Sequence, residues 1–377
     1  MINYEHIKEY LDEVVKKNIP SVDIIINDNH ERVFRYMAGN IDANRSIPVD
    51  ANQRYLMFSM TKVQTMTAIM QLIEKGEVSL EDEVSKYLPA FGDLKVRSKD
   101  GEVTDCKVPL LIKHLVSMQS GLDYNLERPG IVNVLNEKGS NASTRELVDS
   151  FVQSPLDFEP GTHFCYSLSH DVIAAVIEVV SGVTFAEYLR NNIWKPLGMV
   201  DTFFAKPKND DVKGLAQQFI VNDDGKIVPM EQSCVYQLSD RYESGGAGLI
   251  SCTSDYALLA DALACKGEAA NGNRILKPES VEIIRTNLLG KESLKDIATS
   301  MGRVGYGYGC GMQILMDPDA INSPAPKGVF GWDGAAGSCI QMDASSGKSF
   351  VFAMHVRNCG MSYDTIHPTL RDMIFGA

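Results

Sequence analysis

The sequence has few of the features that direct a chain to a membrane or to a nucleic acid. No stretch is long and apolar enough to span a bilayer, and residues 1–11 are typical of an amphipathic helix rather than of a secretory signal. With 49 acidic against 36 basic residues, the formal net charge is -13 at pH 7, which argues against a polyanionic partner. We therefore expect a cytoplasmic protein, or one whose leader has been removed, that acts on a small molecule and contacts neither nucleic acid nor membrane.

Several signatures of catalysis and ligand binding are also missing. The chain has no Gly-x-Ser-x-Gly nucleophile turn, no His-Glu-x-x-His zinc motif and no Gly-x-x-x-x-Gly-Lys phosphate loop. Its eight cysteines include no close pair of metal-binding or redox type, so we expect reduced thiols that mostly pack in the core. These absences remove the commonest metallohydrolase and nucleotide-binding classes from consideration.

Strand-like segments lie at the two ends of the chain. Residues 21–27 and 32–38 are separated by four polar residues, which predicts an antiparallel hairpin. Toward the other end, strand-like character returns in residues 309–315, 338–343 and 349–356, the last two joined by a short turn. Between them the periodicity is mainly helical, with the clearest examples at residues 110–118, 144–153, 171–180 and 185–193.

This order predicts an α/β fold of the α+β type, in which an antiparallel sheet flanked by helices is built from both termini. Because 377 residues exceed the usual size of a single core, one large α/β domain or two interdigitated lobes are expected. We expect a sheet lobe made of residues 1–62 and 245–377 and an inserted, mainly helical lobe made of residues 63–244. Such an arrangement leaves a cleft between the lobes, and clefts of this kind are preferred ligand sites.

Ser59 and Lys62 form the most informative pair in the chain. If a helix begins near Ser59, the three-residue step puts the hydroxyl and the amine on one face and within reach of each other. The helix that follows is apolar nearly all round, so its first turn would hold Lys62 where water is scarce and its pKa would fall. The pair therefore predicts a nucleophile and its base. The alternative is that Ser59 is an N-cap and Lys62 a surface residue.

Tyr166 stands at the end of a loop, just before a predicted helix. A tyrosine at such a junction can put its phenol into a cleft, where a neighbouring ammonium would lower its pKa and let it relay a proton. The alternative is a core tyrosine with a satisfied hydroxyl.

A glycine-rich stretch, residues 330–337, immediately precedes the strand expected at Ser338. Glycines there let a ligand approach the backbone, and a following N–H could be one arm of an oxyanion hole. The alternative is a glycine-rich turn or bulge before a strand.

In their order along the chain, Ser59-x-x-Lys62, Tyr166-Ser167 and the late Trp332-Asp333-Gly334 resemble the serine β-lactamase and penicillin-binding-protein superfamily, over nearly the whole chain. Within it the sequence looks most like the class C-like branch, and particularly the family VIII carboxylesterases. The resemblance implies a β-lactamase-like fold and no metal or organic cofactor.

The resemblance also implies roles for particular residues. Ser59 would attack the acyl carbonyl, and Lys62 with Tyr166 would handle the proton. The backbone N–H groups of Ser59 and Ala335 would hold the oxyanion. A covalent acyl-enzyme would form and then be hydrolysed by water.

Two departures from the family pattern bear on the substrate. Trp332 and Asp333 stand where β-lactamases of this branch have Lys-Thr, so the site lacks the ammonium that would pair with a β-lactam carboxylate. Leu168 stands where many relatives have an asparagine, which removes an amide that could bind an acylamide. The implied substrate pocket consists of Trp332, Gly334, Leu168 and Phe58, and it is more apolar than in a β-lactamase.

The sequence therefore predicts a serine hydrolase that cleaves carboxylic esters of small or medium acyl chains through a Ser59 acyl-enzyme. A β-lactamase, a D-amino-acid peptidase or an acyltransferase of the same fold is the first alternative. A non-catalytic sensor that binds a ligand in the same cleft is the second. Acyl and alcohol specificity and oligomeric state are left open.

Overall fold

The computed structural model describes residues 4–376. The first three residues of the expected N-terminal amphipathic segment lie outside this range. The helices are α1 (Glu5–Lys16), α2 (Thr61–Glu74), α3 (Ile112–Val116), α4 (Pro129–Lys138), α5 (Thr144–Ser150), α6 (Ser169–Ser181), α7 (Phe185–Leu189), α8 (Lys195–Leu197), α9 (Thr253–Ala264), α10 (Pro278–Ile284), α11 (Lys291–Met301) and α12 (His367–Phe375). The strands are β1 (Ser21–Asp28), β2 (Glu31–Gly39), β3 (Arg54–Leu56), β4 (Lys95–Arg97), β5 (Val103–Asp105), β6 (Phe203–Phe204), β7 (Phe219–Val221), β8 (Ile227–Pro229), β9 (Leu249–Cys252), β10 (Tyr306–Tyr308), β11 (Gln313–Leu315), β12 (Phe330–Asp333), β13 (Cys339–Asp343), β14 (Lys348–Ala353) and β15 (Val356–Arg357).

The main sheet has seven strands in the order β10-β11-β12-β13-β14-β1-β2, and every neighbouring pair is antiparallel. Two strands come from the N-terminal end of the chain and five from the C-terminal end. The predicted antiparallel sheet built from both termini is therefore confirmed, as are the hairpins β1–β2 and β13–β14.

Both faces of strand β1 are covered, which explains its almost uninterrupted burial. Successive side chains of a strand point to opposite faces. Ile24 and Ile26 accordingly pack with Leu11 of α1, in a cluster that also contains residues of α12. Ile25 belongs to the other cluster, which contains Leu259 of α9. The sheet thus lies between two helical layers.

Two sequence-based strand boundaries are wrong. Residues 309–315 do not form one strand, because 309–312 turn between β10 and β11 and Gly311 adopts φ 68°. The glycine-rich stretch 330–337, which was not expected to contain a strand, begins as one, since β12 pairs with β13. The turn is confined to residues 334–337, where the Gly334 N–H donates to the Ser338 carbonyl at 2.8 Å.

The region between the two halves of the sheet contains ten of the helices among residues 4–376, α2 to α11, but it is less uniformly helical than the sequence suggested. The strands β3 to β9 lie in it, and the helix expected over 110–118 is only α3. That helix is short because Leu111 is extended and Met118 adopts φ 58°. The boundaries of the two expected lobes, at residues 62/63 and 244/245, stay a prediction.

The helix that carries Lys62 runs through the larger core. Residues Thr61–Leu72 of α2 are all buried, and α2 packs against α6. Among residues 4–376, no single helix combines the length and apolarity needed to cross a bilayer, although Ser169–Ser181 and Phe185–Leu197, bent by 76°, do so as a pair.

Candidate active site

Ser59 is held at the junction between a strand and a helix. Strand β3 pairs with β9, a short 3₁₀ turn follows over Phe58–Met60, and α2 begins at Thr61. Phe58 adopts φ 47°, a left-handed conformation that is uncommon for a bulky side chain and is kept only where the surroundings enforce it. The fully buried Phe58 ring, packed edge-on against Tyr236, provides that enforcement. The backbone therefore turns sharply just before Ser59 and presents it to the cleft.

The Lys62 amine lies within hydrogen-bond distance of the Ser59 hydroxyl. Its Nζ is 3.2 Å from Ser59 Oγ, 2.9 Å from the Tyr124 hydroxyl and 2.7 Å from the Gly246 carbonyl oxygen. The side chain is fully buried, and among residues 4–376 no carboxylate lies within 4.0 Å of the amine. Burial lowers the pKa of Lys62 to about 7, although Asp171 and Asp333 raise it from a longer distance. A substantial fraction of the amine is therefore neutral near pH 7 and can accept a proton.

Gly246 is required by the crowding around this amine. A Cβ at this position would lie 2.7 Å from Asp171 Oδ2, 2.8 Å from the Tyr124 hydroxyl and 3.4 Å from Lys62 Nζ. The absence of a side chain lets the Gly246 carbonyl approach Lys62 and fix the direction of the amine.

Asp171 is a buried carboxylate behind the lysine. One oxygen accepts hydrogen bonds from the Tyr242 hydroxyl at 2.8 Å and the Ser244 hydroxyl at 2.6 Å. The other oxygen, Oδ2, has no hydrogen-bond partner among the described residues. Burial raises the pKa of Asp171, while its hydrogen bonds and Lys62 lower it less. Asp171 therefore supplies a distant negative field rather than a contact ion pair.

Tyr166 lies where the sequence placed it, but its ionisation was predicted with the wrong sign. Its ring centroid is 4.7 Å from Lys62 Nζ, and its hydroxyl accepts a hydrogen bond of 3.0 Å from Trp332 Nε1. Burial raises the pKa of Tyr166, and hydrogen bonding to Ser59 and Trp332 offsets only part of that effect. The resting phenol is therefore protonated, and it can pass on a shared proton without existing as a free phenolate.

Tyr124 was missed by the sequence analysis. Its hydroxyl is a direct hydrogen-bond partner of Lys62, and its ring lies 5.4 Å from those of Tyr166 and Tyr236. It comes from an irregular segment between α3 and α4, where no periodicity marks which side chain points inward. An aromatic residue three positions after Gly121, in a loop that follows a short buried helix, is the only signal the sequence offers.

The turn over residues 334–337 places Ala335 on the wall of the cleft with Ser59. A Cβ on Gly334 would clash with the Met57 carbonyl oxygen, so glycine lets this turn lie against the backbone just before the nucleophile. Among residues 4–376 the Ala335 N–H has no hydrogen-bond acceptor. The predicted oxyanion site at Ser59 and Ala335 is thus geometrically open, and its role stays a prediction.

The cleft in front of Ser59 has a volume of about 590 Å³, and five aromatic side chains contribute to its wall. It is lined by Ser59, Tyr124, Tyr166, Tyr236, Ser300, Met301, Arg303, Trp332, Asp333, Ala335, Gly360, Tyr363 and Asp364. A second cavity of about 730 Å³, lined in part by Cys165, is larger, but neither Ser59 nor Lys62 lines it.

Three of the four predicted pocket residues do not line this cleft, and only Trp332 does. Leu168 is 4% exposed and precedes α6, where its N–H donates to the Asp123 carbonyl. Phe58 lies in the core behind the nucleophile, and Gly334 is taken up by its contact with Met57. These assignments were wrong because spacing along the chain does not reveal which side of a turn faces the ligand.

A cation does lie in the cleft, although not at Trp332. Arg303 follows α11, and its guanidinium pairs with Asp333 Oδ2 at 2.5 Å. Burial by itself lowers the pKa of Arg303, but Asp333 and neighbouring tyrosines raise it overall. The sequence analysis missed this residue because nothing local connects residue 303 to strand β12.

Metal-ligating side chains do not gather at the cleft within residues 4–376. His30, Asp261 and Cys265 form a close group near the β1–β2 turn, where His30 Nδ1 is 2.8 Å from Asp261 Oδ2. The eight cysteines are all free thiols.

The sequence profile of the Beta-lactamase family matches residues 5–362. "Esterase EstB" of Burkholderia gladioli is 27% identical over 375 residues, covering 93% of this chain and 89% of that protein. "Acyltransferase calJ" of Penicillium decumbens is 29% identical over 305 residues, covering 74% and 70%. Among solved structures, "EstCE1, a hydrolase with promiscuous acyltransferase activity" has a TM-score of 0.78 at 24% identity, with 97% of this chain and 96% of that chain covered. Unliganded "Simvastatin Synthase (LovD)" of Aspergillus terreus has a TM-score of 0.79 at 20% identity, with 100% and 98% covered.

Proposed function

The chain belongs to the beta-lactamase family, and on that premise we propose that it is a serine hydrolase that cleaves carboxylic esters through an acyl-enzyme on Ser59. The observation that carries the proposal is the 3.2 Å contact between Ser59 Oγ and a fully buried lysine amine whose pKa is lowered to about 7. A serine hydroxyl is a weak nucleophile unless an adjacent base accepts its proton. Lys62 is in the position and the protonation state to be that base.

In the first half-reaction, neutral Lys62 takes the proton of Ser59 as Oγ attacks the ester carbonyl carbon. The negative charge that develops on the carbonyl oxygen is held by the N–H groups of Ser59 and Ala335. As the carbon–oxygen bond to the alcohol breaks, the leaving alkoxide receives a proton through the Tyr166 hydroxyl, which Lys62 replenishes. The alcohol departs, and the acyl group remains on Ser59.

The second half-reaction reverses these roles with water as the nucleophile. Lys62 is neutral again, so the water can transfer a proton through Tyr166 to the amine while its oxygen attacks the acyl carbonyl. Ser59 Oγ leaves and regains its proton, and the carboxylic acid is released. The same amine thus serves as base in the attack and as proton source in the departure.

The choice of an ester rather than a β-lactam rests on the charges of the cleft. Position 332 is a tryptophan rather than a lysine, and the Arg303 guanidinium is already bound to Asp333. A β-lactam carboxylate therefore meets no unpaired cation among the described residues that line the cleft. A relative similar over nearly the whole chain is named an esterase.

Acyl transfer to an alcohol is the second candidate function. A relative 29% identical is named an acyltransferase. In the scheme above an alcohol can replace water in the second half-reaction without any new catalytic group. Hydrolysis and transfer then differ only in which nucleophile reaches the acyl-enzyme.

Labelling with a fluorophosphonate tests the nucleophile. We expect one phosphonyl group per chain, located on Ser59 by peptide mass spectrometry, and no labelling of Ser59→Ala. Ser300→Ala is a matched control because Ser300 also lines the cleft but has no lysine beside it. Labelling that persists in Ser59→Ala, or that is lost in Ser300→Ala, contradicts the assignment.

A second assay separates the candidate activities. Turnover of a para-nitrophenyl ester, of the same ester with added alcohol, and of a chromogenic cephalosporin is measured side by side. Ester turnover without cephalosporin turnover supports the proposal, and an ester product formed from the added alcohol supports acyl transfer. Cephalosporin turnover that exceeds ester turnover would contradict it.

A further inference from the structure

Arg303 and Asp333 form an ion pair inside the cleft that holds Ser59. Both side chains line the cavity and are nearly buried, with exposures of 13% and 12%. A cation–π contact of 5.9 Å with the Trp332 ring also holds the guanidinium in place. The attraction between two such charges is screened by little water, and removing one of them leaves the other buried without a partner. A substrate that enters the cleft therefore meets a salt bridge rather than a free arginine.

Among the described residues, neither Arg303 nor Asp333 has a second charged partner. Arg303 has no other carboxylate within 4.0 Å among the described residues, and Asp333 has one further neighbour, His367 Nδ1 at 3.9 Å. Burial lowers the pKa of His367, and its Nε2 donates to the Gly337 carbonyl, so the imidazole is neutral and Nδ1 carries no proton. Asp333 is therefore neutralised by Arg303 alone, and Arg303 by Asp333 alone.

The charge that remains at the cleft, once Arg303 and Asp333 are paired, is negative. Among the described residues that line it, only Arg303, Asp333 and Asp364 are formally charged, and Asp364 is exposed at the mouth with no ion-pair partner. With Arg303 neutralised, the lining presents a net negative charge to an approaching ligand. A carboxylate on the substrate would be repelled at the entrance and would find no free partner inside.

We infer that Asp333 is a specificity-determining residue that makes the cleft select uncharged esters over esters carrying a carboxylate, by occupying Arg303. The inference rests on the ester hydrolysis proposed above and adds the substrate class. Removing the charge of Asp333 frees a guanidinium that the Trp332 ring still holds in the cleft. Guanidinium and carboxylate groups form short, charge-assisted hydrogen bonds, so the freed arginine becomes a carboxylate site.

The test compares two substrates on each enzyme. Para-nitrophenyl hexanoate and the mono-para-nitrophenyl ester of adipate have acyl chains of equal length, but only the second carries a carboxylate. The quantity measured is the ratio of kcat/KM for the adipate ester to that for the hexanoate ester. Any change in Lys62 caused by the substitution affects both substrates and cancels in this ratio. Wild-type turnover of the hexanoate ester tests the proposed function separately.

We expect a ratio well below one for the wild type and a rise of at least about tenfold in Asp333→Asn. Asp364→Asn is the matched control, because it removes a cleft carboxylate that does not pair with Arg303, and its ratio should rise much less. The double variant Arg303→Gln/Asp333→Asn should return close to the wild-type ratio, since no free guanidinium remains. If Asp333→Asn does not fold, Arg303→Gln alone must lower the ratio, because it leaves Asp333 unpaired.

Three outcomes overturn the inference. The first is an unchanged ratio in a folded Asp333→Asn. The second is an Asp364→Asn shift as large as that of Asp333→Asn, which would reflect the overall field rather than the pair. The third is a high ratio that persists in the double variant, since then Arg303 is not the group that receives the carboxylate.

Discussion

The inner and outer parts of the cleft each contain one buried cationic side chain, and the two have opposite chemistry. Lys62, behind Ser59, has no carboxylate within ion-pair distance among the described residues, and burial lowers its pKa to about 7. Arg303, toward the front, is in contact with Asp333, and its pKa is raised overall. Both side chains are buried, but a guanidinium keeps its charge in a protein, whereas a buried lysine amine without a contact carboxylate can lose its proton and act as a base.

The difference also shows what Asp171 contributes. Its carboxylate lies near Lys62, and its Oδ1 accepts hydrogen bonds from the hydroxyls of Tyr242 and Ser244. Asp171 raises the pKa of Lys62 by less than burial lowers it, and the resulting pKa is about 7. A contact ion pair like that of Arg303 would leave the amine permanently protonated and unable to act as a base.

The largest expected effect comes from replacing Lys62 with a neutral side chain. The same kind of replacement at Arg303 is the comparison. Lys62→Met should lower kcat/KM for a neutral ester by at least about a hundredfold, because it removes the general base. Arg303→Gln should lower it much less, since Arg303 contacts neither Ser59 nor Lys62 among the described residues. Initial-rate kinetics on both folded variants measures these changes. Equal losses of kcat/KM would contradict the distinction between Lys62 as a base and Arg303 as a fixed charge.

A smaller effect is expected from crowding the lysine without removing it. Gly246→Ala puts a methyl group close to Asp171, Tyr124 and Lys62, so the amine should be displaced from Ser59 and kcat/KM should fall by roughly tenfold or more. Gly290→Ala is the control, because a Cβ there meets no atom within 4 Å and its φ is -77°. Full activity in Gly246→Ala would show that the position of the amine is not critical.

The last expected effect is on stability rather than on turnover. Below about pH 7 folded Lys62 is protonated and bears its full burial penalty. As the pH rises toward its unfolded value of 10.5, the folded amine loses its proton first, so rising pH favours the folded state. The unfolding free energy of the wild type relative to Lys62→Met should therefore increase by about 2–3 kcal/mol between pH 6 and pH 9.

Denaturant unfolding at the two pH values measures this change. Lys291→Met, at an exposed lysine at the start of α11, is the control, and its difference from the wild type should stay nearly constant. A Lys62 difference that also stays constant would mean that the lysine is not desolvated as described.

The sequence was sufficient where the geometry is local. The Ser59–Lys62 contact follows from a three-residue step into a helix, and the terminal hairpins follow from strand patterns separated by short polar turns. The order of motifs along the chain identified the family, and with it the sheet built from both termini.

What the sequence did not reveal depends on contacts between distant segments. Tyr124 and Arg303 come from irregular stretches, and each reaches its partner across more than twenty residues of chain, where periodicity carries no information. The pKa direction of Tyr166 was wrong because a nearby amine suggests stabilisation of a phenolate, whereas complete burial outweighs it. Leu168 was placed in the pocket by motif position alone, and packing put it in the core.

The most direct test of the account is the pH dependence of Ser59 phosphonylation by a fluorophosphonate, measured as a second-order rate constant in the wild type. The rate should rise with increasing pH along a single ionisation near pH 7, because only the neutral Lys62 amine can accept the proton of Ser59. A rate that is flat across this range, or that rises only near the ordinary pKa of a lysine, would show that Lys62 is a permanent cation like Arg303 and not the base.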